Sequence, residues 1–224
     1  MTTTTPKIRR LATAAAAAIW LGLGLGTTAA LANSAAGTAD TLRFRVYLDR
    51  DPIGEHSFQV TADRREVLSR ASFDVNLLFF TAYRYRHESR EQWRDGCLER
   101  IRASTDDNGK SFDVAGDRKG GALSVAVNGE PRRLPACVST FAYWDRDFLK
   151  RPRLLNPQTG ELLDVAVTRI GTESRVVKGR RVEAERYRLK ADGLDISLWY
   201  TPEGQWIALE SDTGKGRTLR YERI

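Results

Sequence analysis

From Asp40 onward the sequence alternates with a period of two. Leu42, Phe44, Val46 and Leu48 fall between Arg43, Arg45, Tyr47 and Asp49, which puts four apolar side chains on one face of a strand. His56, Phe58 and Val60 share a face on the return strand, and Val67, Ser69, Ala71, Phe73, Val75 and Leu77 continue the pattern. A longer segment sets Tyr83, Tyr85, His87, Ser89, Glu91 and Trp93 on one side. Arg84, Arg86, Glu88, Arg90, Gln92 and Arg94 take the other. A chain built of such segments cannot bury both faces, so it forms sheets with one wet side.

Turn signals punctuate the strands roughly every 8–15 residues, the spacing of an antiparallel meander. They fall at Asp51-Pro52-Ile53-Gly54, Asp95-Gly96, Asp107-Asn108-Gly109, Gly116, Gly120-Gly121 and Asn128-Gly129. Further signals follow at Gly160, Gly179, Asp192-Gly193, Glu203-Gly204 and Thr213-Gly214. Ser139 to Leu155 breaks the pattern. Phe141, Trp144 and Phe148 are spaced by 3 and 4, which suits one or two helical turns, and Pro152 limits any helix beyond. A flat meander of about a dozen strands must curl or split, so it closes towards a barrel or forms a sandwich. The single bulky insert favours the curled sheet. The expected fold is mostly β: a curled antiparallel meander, half-barrel or barrel-like, with a short helical insert near 141–150. Residues 40–224 read as one domain.

The N-terminus reads as an address. Residues 1–39 hold no Asp or Glu, and Lys7, Arg9 and Arg10 precede an uncharged run from Leu11 to Ala32 that ends in Ala30-Leu31-Ala32. This is the pattern of a signal peptide over 1–32, cleaved after Ala32, with 33–39 a flexible leader and the mature chain periplasmic. An uncleaved single-span anchor is the alternative. No cysteine lies near the cleavage site, which excludes a bacterial lipoprotein. The formal net charge of +7 is partly that segment's. The remaining charges are mixed along the chain and do not read as a nucleic-acid surface. In an oxidising compartment the two cysteines, Cys97 and Cys137, are expected to form a disulfide, two buried thiols being the alternative.

Catalytic signatures are lacking. There is no HExxH, CxxC, GxSxG, SxxK or phosphate-binding glycine loop, and only His56 and His87 as histidines, so no metal site, cofactor or catalytic residue is assigned. The Tyr83–Trp93 face has two readings. His87 and a tyrosine hydroxyl orient a ligand head group at the polar end of an apolar cavity, or the strand leaves the core and wets both faces. His56 reads as a satisfied structural histidine or, with partners, a base. Arg84, Arg86, Arg90, Arg94, Arg100 and Arg102 form a ridge that could meet anionic lipid head groups or could cover a solvated sheet, with Glu88 and Glu99 diluting its potential. Phe141, Tyr143, Trp144 and Phe148 wall a pocket or plug the core.

Several stretches together resemble an uncharacterised family of exported proteobacterial proteins, a domain of unknown function. They are the opening strand with Asp51-Pro52-Ile53-Gly54, Ser139-Thr140-Phe141-Ala142-Tyr143-Trp144, Asn156-Pro157-Gln158-Thr159-Gly160, Ile196–Tyr200 and Trp206–Leu209. More distantly the pattern is similar to the curled sheets of periplasmic lipoprotein carriers, which implies an apolar ligand; no residue here corresponds to a carrier's acyl-binding pattern. The expectation is a periplasmic binding or carrier protein for a lipid or other hydrophobic small molecule, lined by Tyr83, Tyr85, His87, Tyr143 and Trp144. The alternatives are an envelope protein–protein scaffold and an enzyme using His87 near Tyr85 and Glu91.

Overall fold

Strands that alternate apolar with charged residues gain most when every apolar face turns to one side. The computed structural model of the protein, which describes residues 40–77, 80–213 and 216–224, builds one sheet on that rule. The expected signal peptide, its cleavage after Ala32 and the leader at 33–39 lie outside the described residues. The first strands are β1 (Asp40–Leu48), β2 (Asp51–Val60), β3 (Glu66–Leu77), β4 (Phe80–Arg94), β5 (Cys97–Asp107), β6 (Lys110–Lys119), β7 (Ala122–Val127) and β8 (Glu130–Leu134). Three short strands follow: β9 (Ser139–Thr140), β10 (Arg153–Leu155) and β11 (Leu162–Asp164). The last are β12 (Ala166–Val177), β13 (Arg180–Ala191), β14 (Leu194–Tyr200), β15 (Trp206–Asp212) and β16 (Thr218–Arg223).

Thirteen strands form one antiparallel sheet in the order β12-β13-β14-β15-β16-β1-β2-β3-β4-β5-β6-β7-β8. It is a meander whose two halves join where β1 pairs with β16, from Phe44 opposite Arg223 to Leu48 opposite Leu219. The sheet does not close, because β12 and β8 remain edges. Its inner face carries the core: Phe44, Val46, Leu98, Ile101, Leu123, Leu189 and Leu198 are fully buried. The β9–β11 strands form a separate small sheet, whose Leu154 and Leu155 are also fully buried. The insert is one 3-10 helix, Arg146–Lys150, with Asp145 accepting from the Asp147 N–H at its start. Phe148 and Leu149 of this helix belong to the main core, so the stretch that lacks a period of two is the part that covers the sheet.

Two turn expectations are corrected. The first hairpin turns at Asp49-Arg50, with Asp49 at φ 58°, and Asp51-Pro52-Ile53-Gly54 is strand. Tyr47 faces Pro52 and Val46 faces Gly54, so Ile53 is the extra residue of a bulge. Gly54 is needed for a close approach, since a Cβ there would lie 1.9 Å from the Ser72 carbonyl oxygen. Gly116 lies inside β6 between Ile101 and Val125, both of which would crowd a Cβ. Asp95-Gly96 is the expected tight turn, both residues at positive φ.

Cys97 and Cys137 form a disulfide. Cys97 opens β5 and Cys137 lies just ahead of β9, so the bond ties the start of the covering segment to the sheet.

Candidate functional site

Register decides which polar residues meet. Across β2, β3, β4 and β5, His56 stands opposite Ala71, Ala71 opposite His87, and His87 opposite Thr105. The next row inward-facing is Phe58, Ser69, Ser89 and Ala103, and the one after it Val60, Val67, Glu91 and Ile101. Six polar side chains, His56, Ser69, His87, Thr105, Ser89 and Glu91, therefore share one patch of an otherwise apolar face. All six are buried. The strand does not leave the core, as one reading expected; Tyr85 to Trp93 keep their inward residues covered.

The 139–158 segment lies over this patch and leaves a cavity of about 110 Å³. Thr140, Phe141, Tyr143, Trp144 and Gln158 form its roof. Three of the five expected lining residues, His87, Tyr143 and Trp144, are there. The other two are not. Tyr83 is half-buried and donates its hydroxyl to Asp107 Oδ1 at 2.6 Å. Tyr85 stacks on Phe73, ring centroids 5.2 Å apart, and its buried hydroxyl has no partner among the described residues. His56, Ser69, Glu91 and Thr140 enter in their place. For His56, Ser69 and Glu91 the signal was in the sequence, as polar breaks on three successive inward faces. Which breaks come together depends on register, which the sequence leaves open.

Each polar group has a specific partner. Nε2 of His56 is 2.7 Å from Ser69 Oγ and Nδ1 is 3.4 Å from the Tyr221 hydroxyl. The ring stacks on Phe58. Burial pushes this imidazole down to about 3, with His87 adding to the shift. His87 Nδ1 is 2.9 Å from Thr105 Oγ1, whose hydroxyl also lies 3.2 Å from the Gln158 carbonyl oxygen. Burial pushes His87 down to about 4. Both histidines are neutral at pH 7. Glu91 accepts from Ser89 at 3.3 Å, Trp93 Nε1 at 3.1 Å and Thr140 at 3.2 Å. Burial nonetheless raises its carboxyl to about 7, the three hydrogen bonds pulling the other way.

The roof is fastened from outside. The Arg64 guanidinium lies 5.2 Å from the Trp144 ring centre, donates to the Trp144 carbonyl at 3.1 Å and pairs with Asp145 at 3.3 Å. Trp144 meets Trp93 edge to face at 5.5 Å. Tyr200 donates its hydroxyl to the Tyr143 carbonyl at 2.9 Å.

Ser69 and His56 sit as a hydroxyl and an imidazole do in a nucleophile–base pair, but the partners of His56 are Ser69 and Tyr221, neither a carboxylate. Among the described residues no group of three or more His, Cys, Asp or Glu could hold a metal ion. On the outer face the arginine ridge is laced with ion pairs: Arg86 with Asp74, Arg90 with Glu88, Arg94 with Glu99, and Arg100 and Arg102 with Asp117.

A family model described as Domain of unknown function (DUF6134) matches residues 44–224. No curated protein matches the chain. Among solved structures the chain is similar to the crystal structure of a beta-barrel-like protein of domain of unknown function DUF1849 from Brucella abortus. The TM-score is 0.62 at 10% identity, over 84% of this chain and 96% of that one. At such identity the likeness speaks for the fold alone.

Proposed function

We propose that this chain, which belongs to the DUF6134 family of domains of unknown function, is a binding protein that holds a small molecule between β2–β4 and the 139–158 segment. One observation carries the reading. Of the eight buried polar or charged residues among those described, six (His56, Ser69, His87, Ser89, Glu91 and Thr140) line this cavity. Polar groups in a core are costly, and their convergence on a hollow with aromatic walls is the usual composition of a ligand site. The volume narrows the guest. Apolar cavities of about 150 Å³ admit benzene, so about 110 Å³ favours a small compact molecule over the acyl chain of a lipid. The Cys97–Cys137 bond supports action in an oxidising compartment, in keeping with an exported, periplasmic chain.

Native mass spectrometry of protein purified without denaturant tests this. A small-molecule adduct present in the wild type and lost in Ala142→Leu, a variant that fills the cavity while keeping the circular-dichroism spectrum, supports the site. An adduct equally retained in the variant overturns it.

A second reading, a scaffold for contact with another protein, is favoured by the edge strand β12. Ile170, 52% exposed, and Val176, 71% exposed, are the exposed large apolar side chains among the described residues, and both lie on it. The opposite edge, β8, carries Pro131, Arg132 and Arg133. A photocrosslinking group at Val176 then captures a partner where the same group at Arg132 does not; equal yields at both edges would sink this reading.

A further inference from the structure

We infer that the cavity selects an uncharged molecule that donates a hydrogen bond, an alcohol or a phenol, to Nε2 of His87, and that it rejects carboxylates and phosphates. This rests on the binding reading above and names the chemistry of its guest.

The tautomer of His87 follows from its neighbour. Thr105 has one hydroxyl hydrogen. The Gln158 carbonyl, 3.2 Å away, can only accept. With that hydrogen committed, Thr105 Oγ1 offers a lone pair to His87 at 2.9 Å, so Nδ1 carries the proton. The opposite nitrogen, Nε2, is then a lone-pair acceptor with no protein partner among the described residues, on a buried side chain that lines the cavity. An acceptor of this kind wants a donor from the guest.

The charge inventory of the wall sets the second condition. No Lys or Arg lines the cavity, and its one carboxylic acid, Glu91, already takes three donors from the protein. An anion entering would lose its water without meeting a cation. Phe58, Phe141, Tyr143 and Trp144 supply flat apolar surface for a ring or short carbon skeleton.

Ring probes separate the terms: toluene and phenol, matched in size, and benzoate, whose uncharged isostere benzamide controls for its larger size, titrated into the full chain and followed by calorimetry and thermal shift. Phenol is expected to bind about tenfold tighter than toluene, and benzoate at least about tenfold weaker than benzamide. In His87→Phe the preference for phenol over toluene disappears. Should that variant not fold, Thr105→Val gives the same answer: it releases Nδ1 from its fixed proton and lowers the phenol preference several-fold while toluene binding stays. The 15N shifts of the His87 ring report protonated Nδ1 and bare Nε2 directly. Equal binding of phenol and toluene, or benzoate matching benzamide, overturns this inference and leaves the binding reading standing. Failure of all the probes overturns this inference too, and the binding reading then stands or falls on the adduct experiment above.

Discussion

The Thr140 hydroxyl donates to Glu91 Oε2 at 3.2 Å, joining the covering segment to β4 at the wall of the cavity. The same carboxyl oxygen takes the Trp93 indole N–H at 3.1 Å. A buried acid in this position makes the seating of the roof depend on pH.

Burial holds the Glu91 carboxyl at about 7 in the folded chain against 4.5 in its reference state. The folded protein thus keeps a proton that the unfolded chain releases between those values. Its contribution is fully present below pH 4.5 and is lost as pH rises to about 7, a change of about 3 kcal/mol. Glu91→Gln does not titrate. Relative to the wild type, the variant should gain about 3 kcal/mol between pH 4.5 and pH 7.5 in urea melts. A difference that stays flat over that range contradicts the raised carboxyl.

The histidines act with the opposite sign. His87 falls from 6.5 to about 4 on burial. Its contribution is present above pH 6.5 and is lost as pH falls through about 4, again roughly 3 kcal/mol. His56, held at about 3, extends the same limb further into acid. His87→Asn should flatten the acid limb of the stability profile by that amount; an unchanged slope between pH 6.5 and 4 refutes it.

Reduction of Cys97–Cys137 opens a crosslink between residues separated by 40 positions. In the chain-entropy description such a loop contributes about 4 kcal/mol, or roughly 10 °C in Tm for a domain of this size. Cys137 is exposed, so reductant can reach the bond. Calorimetry with and without dithiothreitol checks the shift, and identical melting curves would contradict it.

Gly54→Ala puts a Cβ into the carbonyl oxygen of Ser72 on the neighbouring strand. The backbones must separate, and a loss of roughly 3 kcal/mol is expected, the range of steric strain in a packed core. Tyr85→Phe should behave in the contrary way. It deletes a buried hydroxyl that has no partner, so stability stays level or rises by about 1 kcal/mol. Equilibrium unfolding of both variants tests the pair, and a destabilised Tyr85→Phe would mean the hydroxyl is satisfied.

Strand faces were legible because a single local rule governs them. Leu42, Phe44 and Val46 face inward as their alternation requires, and Asp95-Gly96 turns as its chemistry requires. The errors came from residues that serve two purposes. Pro52 and Gly54 are turn formers by composition, yet here they make a bulge and a close strand contact. Gly116 marks packing between Ile101 and Val125 rather than a turn. The site was half legible for a different reason. His87, Tyr143 and Trp144 announce themselves, but Ser69 and Glu91 matter only once β3 and β4 are set in register, placing Ser69 opposite Ser89 and Val67 opposite Glu91. Tyr83 shares a face with His87 and still misses the cavity, because Asp107 on β5 takes its hydroxyl.

The pairing of β1 with β16 puts the earliest and latest strands side by side in the middle of the sheet. A ribosome delivers Phe44 long before Arg223, so this seam cannot form until β16 has emerged. Contacts so distant in sequence fold slowly and leave raw strand edges open in the meantime. Removing Thr218–Arg223 would strand both halves at once. Circular permutants that join the end of β16 to the start of β1 would turn this seam into a local hairpin, wherever the new ends are cut.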